Sequence, residues 1–195
     1  MPVTERAGGI EELVVLLDDD GTPIGTRLKA EVHDRQTPLH LAFSLYLFDA
    51  DDRLLLTRRA LGKRTWPGVW TNTCCGHPGP AEGAEDAVRR RVGHELGLEL
   101  AEVRCLLPDF SYSAVDASGV VENEICPVFV GRTLHPYEDP VANPAEVMDW
   151  KWGQWWDIVG AVAATPYVFS PWSVLQVRQL AGVIGERVPS PWQSA

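Results

Sequence analysis

Apolar residues along this chain recur in two patterns. Short runs rich in β-branched and aromatic residues, bounded by turn formers, read as strands over residues 12–17, 24–28, 41–48, 53–57, 103–115, 120–131 and 147–152. The intervening Asp18-Asp-Asp-Gly-Thr-Pro23, Asp49-Ala-Asp-Asp52 and Asp116-Ala-Ser-Gly119 have turn composition, and the first two predict hairpins. Ala87, Val88, Val92 and Leu96 recur at helical spacing over 85–96, with Gly97 where a C-cap glycine is expected. Residues 154–164 and 170–185 also read as helices, the second with the stripe Val174, Val177, Leu180 and Ile184. The polar stretch 30–39 ends at Thr37-Pro38, which stops any helix before the apolar run that follows. Strands outnumber helices, the two interleave and no repeat is visible, so one α+β domain is predicted over about residues 10–186, with flexible ends at 1–9 and 187–195.

One stretch concentrates reactive groups: Trp70-Thr-Asn-Thr-Cys-Cys-Gly-His-Pro78. If it is extended, Cys75 and His77 project to one side and Cys74 to the other, because side chains alternate along a strand. A cysteine acts as nucleophile or base through its thiolate, which a nearby imidazole or metal makes accessible. The plainer reading of Cys75 is a small buried hydrophobe.

Composition narrows the partners. The chain has 195 residues, 45% of them hydrophobic, enough for a sizeable core without staples. A net charge of −10 argues against nucleic acid or an anionic membrane, though locally clustered basic residues leave room for a small anion. The one dense basic segment is Thr57-Arg-Arg-Ala-Leu-Gly-Lys-Arg64. Cys74, Cys75, Cys105 and Cys126 lack C-x-x-C spacing, and the first two are adjacent, which suits a reducing cytoplasm better than a disulfide framework. No signal-peptide core precedes the domain, and no apolar run approaches the ~18 residues of a membrane span.

Glu122 and Glu124 lie two apart on an expected strand, so both carboxylates share a face. Side by side they repel unless a cation or shared proton relieves them; a solvated strand face is the alternative. His33, His40 and His77 are each, alone, ordinary polar residues, but with the two glutamates they make a mixed nitrogen and oxygen set suited to Mg, Mn or Zn. A helix of two turns or a loop could bring His33 and His40 to one side.

Gly76, Glu82, Arg90, Val92, Glu95, Gly97 and Leu98 follow the spacing G-x5-E-x7-R-E-U-x-E-E-x-G-U, the Nudix box, with Arg91 and His94 replacing two of its glutamates. Further segments carry a narrower resemblance: Leu39-His-Leu-Ala-Phe-Ser44, Trp66-Pro-Gly-Val-Trp-Thr-Asn72, Cys75-Gly-His-Pro78, Pro108-Asp-Phe110, Glu122-Asn-Glu-Ile-Cys-Pro-Val-Phe129 and Phe169-Ser-Pro-Trp172. In this order and over most of the chain, the sequence resembles the type I isopentenyl-diphosphate isomerases, Nudix-fold enzymes. The resemblance implies a single-domain, Nudix-like mixed β-sheet sandwich flanked by helices.

It also implies roles. The family's metal site falls on His33, His40, His77, Glu122 and Glu124, and its catalytic groups on Cys75, Glu124 and Tyr112. Diphosphate contacts fall on Lys29, Arg59, Lys63 and Arg91, with Glu95, beside Cys75, helping to hold a second Mg on the substrate; Trp172 faces the hydrocarbon. The expected reaction interconverts isopentenyl and dimethylallyl diphosphates through a tertiary carbocation in isoprenoid biosynthesis, with Glu124 and Tyr112 on one side of the substrate and Cys75 on the other, and without flavin. A water-excluding pocket is required to protect such a cation. A monomer is expected. The alternatives are a Nudix pyrophosphohydrolase and a non-enzymatic, metal-holding Nudix-like binding domain.

Overall fold

The structure, a computed structural model, describes residues 12–184, so the expected flexible ends lie outside the described residues. Its first hairpin pairs β1 (Leu13–Leu17) with β2 (Pro23–Leu28). The Asp18 carboxylate closes the turn by accepting the N–H groups of Asp20 and Thr22 at 3.0 and 2.8 Å. A single helical turn, α1 (Lys29–Val32), leads to β3 (His40–Leu41) and then β4 (Phe43–Phe48). Asp49 organises the next turn as Asp18 does the first, accepting from the N–H groups of Asp51 and Arg53, and β5 (Arg53–Arg59) returns antiparallel. The short strands β6 (Trp70–Thr71) and β7 (Cys74–Gly76) follow.

Helix α2 (Ala84–Leu96) stops at Gly97, which takes the left-handed conformation, φ 66°, and returns its N–H to the Gly93 carbonyl. The predicted strands 103–115 and 120–131 each prove to be two. Pro108 separates β8 (Leu100–Leu107) from β9 (Ser111–Val115), and Pro127 separates β10 (Val121–Ile125) from β11 (Val128–Thr133). Proline has no N–H to give a ladder, so each break lets the chain leave one sheet and enter another. The chain ends with β12 (Val147–Gln154), α3 (Trp155–Ala164) and α4 (Pro171–Val183).

Two sheets result, in the orders β2-β1-β3-β10-β9 and β12-β5-β4-β11-β8, the second extended by β6 on β5 and β7 on β4. Both are mixed: β10 runs parallel to β3 and β11 parallel to β4. Strand β4 explains the layering. Phe43, Leu45 and Leu47 pack toward α2 with Val88, Val92 and Leu96, while Tyr46 and Phe48 pack toward α3 and α4 with Ile158, Val177 and Leu180. Both faces are covered, which is why the strand reads as an unbroken apolar run. All four residues of the α4 stripe are buried in the second cluster, each worth about 1.5–3 kcal/mol of transfer free energy before ordering costs. The α+β sandwich with flanking helices matches the expected fold class.

Candidate active site

The site forms where the two sheets part. Strands β3 and β4 run beside β10 and β11, and both pairs cross from the first sheet to the second together. On the first sheet, direct register places His40 opposite Glu124 and Glu124 opposite Tyr112, so these three side chains form one row across three strands. On the second, Cys75 stands opposite Ser44. His33 reaches the row through the loop after α1, and His77 through the residues after β7.

One ligand atom from each of His33, His40, His77 and Glu124 lies within 4.8 Å of all the others. His40 Nδ1 lies 2.9 Å from the Pro38 carbonyl, which leaves Nε2 aimed at Glu124 Oε1, 3.4 Å away. His77 Nε2 lies 3.4 Å from the same oxygen. Glu122 stands just outside this set: its Oε2 is 2.9 Å from His33 Nε2, and its Oε1 accepts from the Thr65 hydroxyl at 2.6 Å. His40 Nε2 and both ring nitrogens of His77 are buried without a hydrogen-bond partner. Imidazole nitrogens left unsatisfied around a buried carboxylate are what a divalent cation satisfies, so the donor set fits a metal.

Electrostatics agree. Burial pushes the His77 imidazole down to about 4 despite the opposing pull of Glu124, so it is neutral, the form that ligates. Burial raises the Glu124 carboxyl, but the imidazoles of His40 and His77 beside it outweigh that and hold the group well below the usual range. Burial likewise lowers His40, yet Glu124 raises it more, and the net direction is upward. Tyr112 is pushed well above an ordinary phenol by burial and by the charges of Glu124 and Glu122, so it keeps its proton.

His33, His77, Tyr112, Glu122 and Glu124 line a cavity of about 910 Å³ that also exposes Cys75, Trp172 and the cations Lys29, Arg59, Lys63 and Arg91, with His40 fully buried behind them. The strand-parity expectation holds: Cys75 and His77 line the cavity, whereas Cys74 is buried against α2 in the opposite core. Burial lifts the Cys75 thiol to about 11, so it too is protonated at neutral pH. Arg59 lies over the Trp172 ring, 5.3 Å from its centroid, and its guanidinium donates to the Thr65 carbonyl at 2.9 and 3.1 Å.

One Glu95 carboxylate oxygen pairs with Arg91 one turn earlier on the same helix, and Glu95 itself does not line the cavity. The acids that do reach the cationic end, Glu12 and Glu146, carried no signal in the sequence. Glu12 accepts from Lys29 at 2.5 Å and lies 3.4 Å from Arg91, while Glu146 pairs with Lys63 and lies 3.4 Å from Arg91. Thr65 was missed as well, because threonine has no chemistry until its partners are known.

The NUDIX domain family model matches residues 38–173. Proteins named isopentenyl-diphosphate Delta-isomerase are close in sequence. The one from Mycolicibacterium vanbaalenii is 56% identical over 191 residues, covering 96% of this chain and 99% of its own. That from Clavibacter michiganensis subsp. michiganensis is 59% identical over 166 residues, covering 85% and 84%. That from Frankia alni is 56% identical over 168 residues, covering 86% and 85%. Among solved structures, a protein from Deinococcus radiodurans superposes with a TM-score of 0.66 at 19% identity, covering 87% of this chain and 99% of its own. A MutT NUDIX hydrolase from Burkholderia pseudomallei gives 0.55 at 21%, covering 73% and 98%. At those identities the structural likeness speaks for the fold alone.

Proposed function

The chain belongs to the isopentenyl-diphosphate Delta-isomerase family of the NUDIX fold, and from that premise we propose that its cavity interconverts isopentenyl and dimethylallyl diphosphates, with the His33, His40, His77 and Glu124 cluster as its metal centre. The observation that carries this reading is the shared cavity: three members of a donor set fit for a metal, a protonated thiol, an aromatic ring and a group of lysine and arginine cations line one space.

The basic residues give the diphosphate its place. Lys29, Arg59, Lys63 and Arg91 come from three separate segments and all line the cavity. A diphosphate anchored there directs its short hydrocarbon toward Trp172, which is only 2% exposed. Moving the double bond requires a C–H bond to form at one alkene carbon and another to break at a neighbouring carbon, with a tertiary cation between. Tyr112 and Glu124, neighbours in register, serve one side of this exchange, and the Cys75 thiol serves the other. The face of Trp172 stabilises the cation, and the buried walls keep out water that would trap it. A divalent ion held by the three histidines and Glu124, with Glu122 alongside, supplies the charge that tunes the Glu124 carboxylate. Mn, Mg and Zn all suit this donor set. Glu95, paired with Arg91 through one oxygen, would offer its other oxygen to a second ion on the diphosphate.

Pyrophosphate hydrolysis is less well supported, since two box positions that carry glutamate are Arg91 and His94 here, and the relatives at 56–59% identity are named as isomerases. The test is incubation of the metal-loaded protein with isopentenyl diphosphate in deuterated water. Deuterium-labelled dimethylallyl diphosphate is expected, with no phosphate released. Phosphate release would favour the hydrolase, and no turnover together with full function in Cys75→Ala would favour a binding domain.

A further inference from the structure

Beneath the cavity, a bend between β6 and β7 buries one carboxamide completely: Asn72 is 0% exposed. Its Nδ2 donates to two backbone carbonyls, Leu45 at 3.1 Å and Cys74 at 2.9 Å, which uses both of its protons. The amide orientation is therefore fixed, because a flipped group would set its oxygen against those carbonyls. The oxygen so placed accepts from the Cys75 thiol at 3.2 Å and from the Trp172 indole N–H at 3.0 Å. The Thr71 hydroxyl donates to the same oxygen at 2.8 Å, with Ser170 Oγ a further 2.8 Å neighbour of that hydroxyl, so three donors converge on this one acceptor.

A second chain of bonds fixes the thiol from the other side. Tyr46 donates to Gln176 Oε1 at 3.0 Å, and Gln176 Nε2 donates to Ser44 Oγ at 2.9 Å. Ser44 Oγ lies 3.4 Å from the sulfurs of both Cys75 and Cys126. The Ser44 hydroxyl thus bridges the two sulfurs, while Cys75 gives its own proton to Asn72, and that bond sets the direction of the thiol.

We propose that Asn72 is a positioning residue for the isomerisation: its single carboxamide oxygen orients both the Cys75 thiol and the Trp172 ring, locking the proton-exchanging group and the cation-stabilising face into one rigid relation. The proposal rests on the isomerase reading of the cavity. Residues 72 and 172 are 100 apart in sequence, so the link joins the bend just before the thiol-bearing strand to the start of α4.

The test compares Asn72→Ala with Asn72→Asp. The aspartate keeps an acceptor toward thiol and indole but sets its other oxygen against the Leu45 and Cys74 carbonyls, so it is no more stable than the alanine variant. For Asn72→Ala, kcat is expected to fall about 100-fold, with KM within about threefold because the diphosphate cations are untouched, while Asn72→Asp recovers about tenfold of that loss without recovering melting temperature. If kcat instead tracks melting temperature across the two variants, Asn72 is merely structural and the proposal fails. Should either variant fail to fold, infrared spectroscopy of the unmodified protein decides. The Cys75 S–H stretch, assigned by its loss in Cys75→Ser, is expected at the lowered frequency of a hydrogen-bonded thiol, and a free-thiol band overturns the proposal. Wild-type protein that fails to isomerise removes the functional reading instead, a result distinguishable from a misplaced Asn72.

Discussion

Gly76 separates the cavity thiol from a cluster histidine, and it has no room for a side chain. A methyl group there would meet Arg91 Cγ at 2.9 Å and the Phe43 ring at 3.0 and 3.1 Å. Long side chains usually yield at little cost, but Arg91 is held by Glu95, Glu146 and Glu12, and Phe43 is wholly buried on β4. Gly76→Ala is therefore an overpacking substitution, with an expected cost of about 1–3 kcal/mol. For a domain of this size that lowers the melting temperature by roughly 2–12 °C. The part of the strain relieved by moving Arg91 also disturbs the diphosphate end of the cavity. A charge-assisted hydrogen bond contributes about 1.5–3 kcal/mol, so even partial loss should raise KM about tenfold. Differential scanning calorimetry and steady-state kinetics on the same preparation measure both effects. Gly93→Ala is the control: nothing lies within 4 Å of its added methyl, and in a helix the change is expected to stabilise by about 1 kcal/mol. A Gly76→Ala protein with unchanged melting temperature and unchanged KM would refute the claim that Arg91 and Phe43 are rigidly held.

The adjacent cysteines separate by function: Cys75→Ala is expected to abolish isomerisation and leave metal content intact, whereas Cys74→Ala costs about 1–2 kcal/mol in urea unfolding and retains activity. Loss of activity in Cys74→Ala without unfolding would contradict the assignment. Thr65→Val strips the donor from buried Glu122 Oε1 and should weaken metal affinity about tenfold, read by chelator competition; unchanged affinity argues that Glu122 needs no second partner. Glu146 is raised by burial but lowered more by Lys63 and Arg91, so its folded carboxyl binds protons less well than the unfolded one. Its stabilising contribution is thus present above about pH 4.5 and lost as pH falls through the lowered value, and the stability gap between wild type and Glu146→Gln should shrink at low pH. A gap that stays constant from pH 7 to pH 3 rules out that coupling.

The elements that local pattern determines were readable. The α2 and α4 stripes, the Gly97 cap and the two aspartate-closed turns each follow from a few neighbouring residues. The parity of Cys74, Cys75 and His77 was readable for the same reason. Strand breaks at Pro108 and Pro127 were visible as prolines but not as changes of sheet, because which sheet a strand enters depends on partners far away in sequence. Partnership also hid the supporting residues. Asn72, Thr65 and Gln176 are ordinary polar side chains until the fold brings Trp172, Glu122 and Tyr46 beside them. For Glu95, box spacing gives its place on α2, but not that Arg91, one turn earlier, turns inward to pair with it.

The same point bears on charge. A chain of net charge −10 is a poor candidate for an anionic substrate if only the average field matters. The fold overturns that average locally. Six Lys and Arg side chains line the cavity against four glutamates, and two of those glutamates stand at the metal-binding cluster. The other two, Glu12 and Glu146, are paired with the cations themselves. Such pairing keeps like charges from driving the cationic wall apart before a diphosphate arrives, and the same acids then hold Lys29, Lys63 and Arg91 in place around it. Partly exposed pairs of this kind add little net stability, since solvent screens much of their attraction. Their value lies in geometry: an acidic protein can keep a concentrated, ordered set of cations only where each has a fixed partner to define its position.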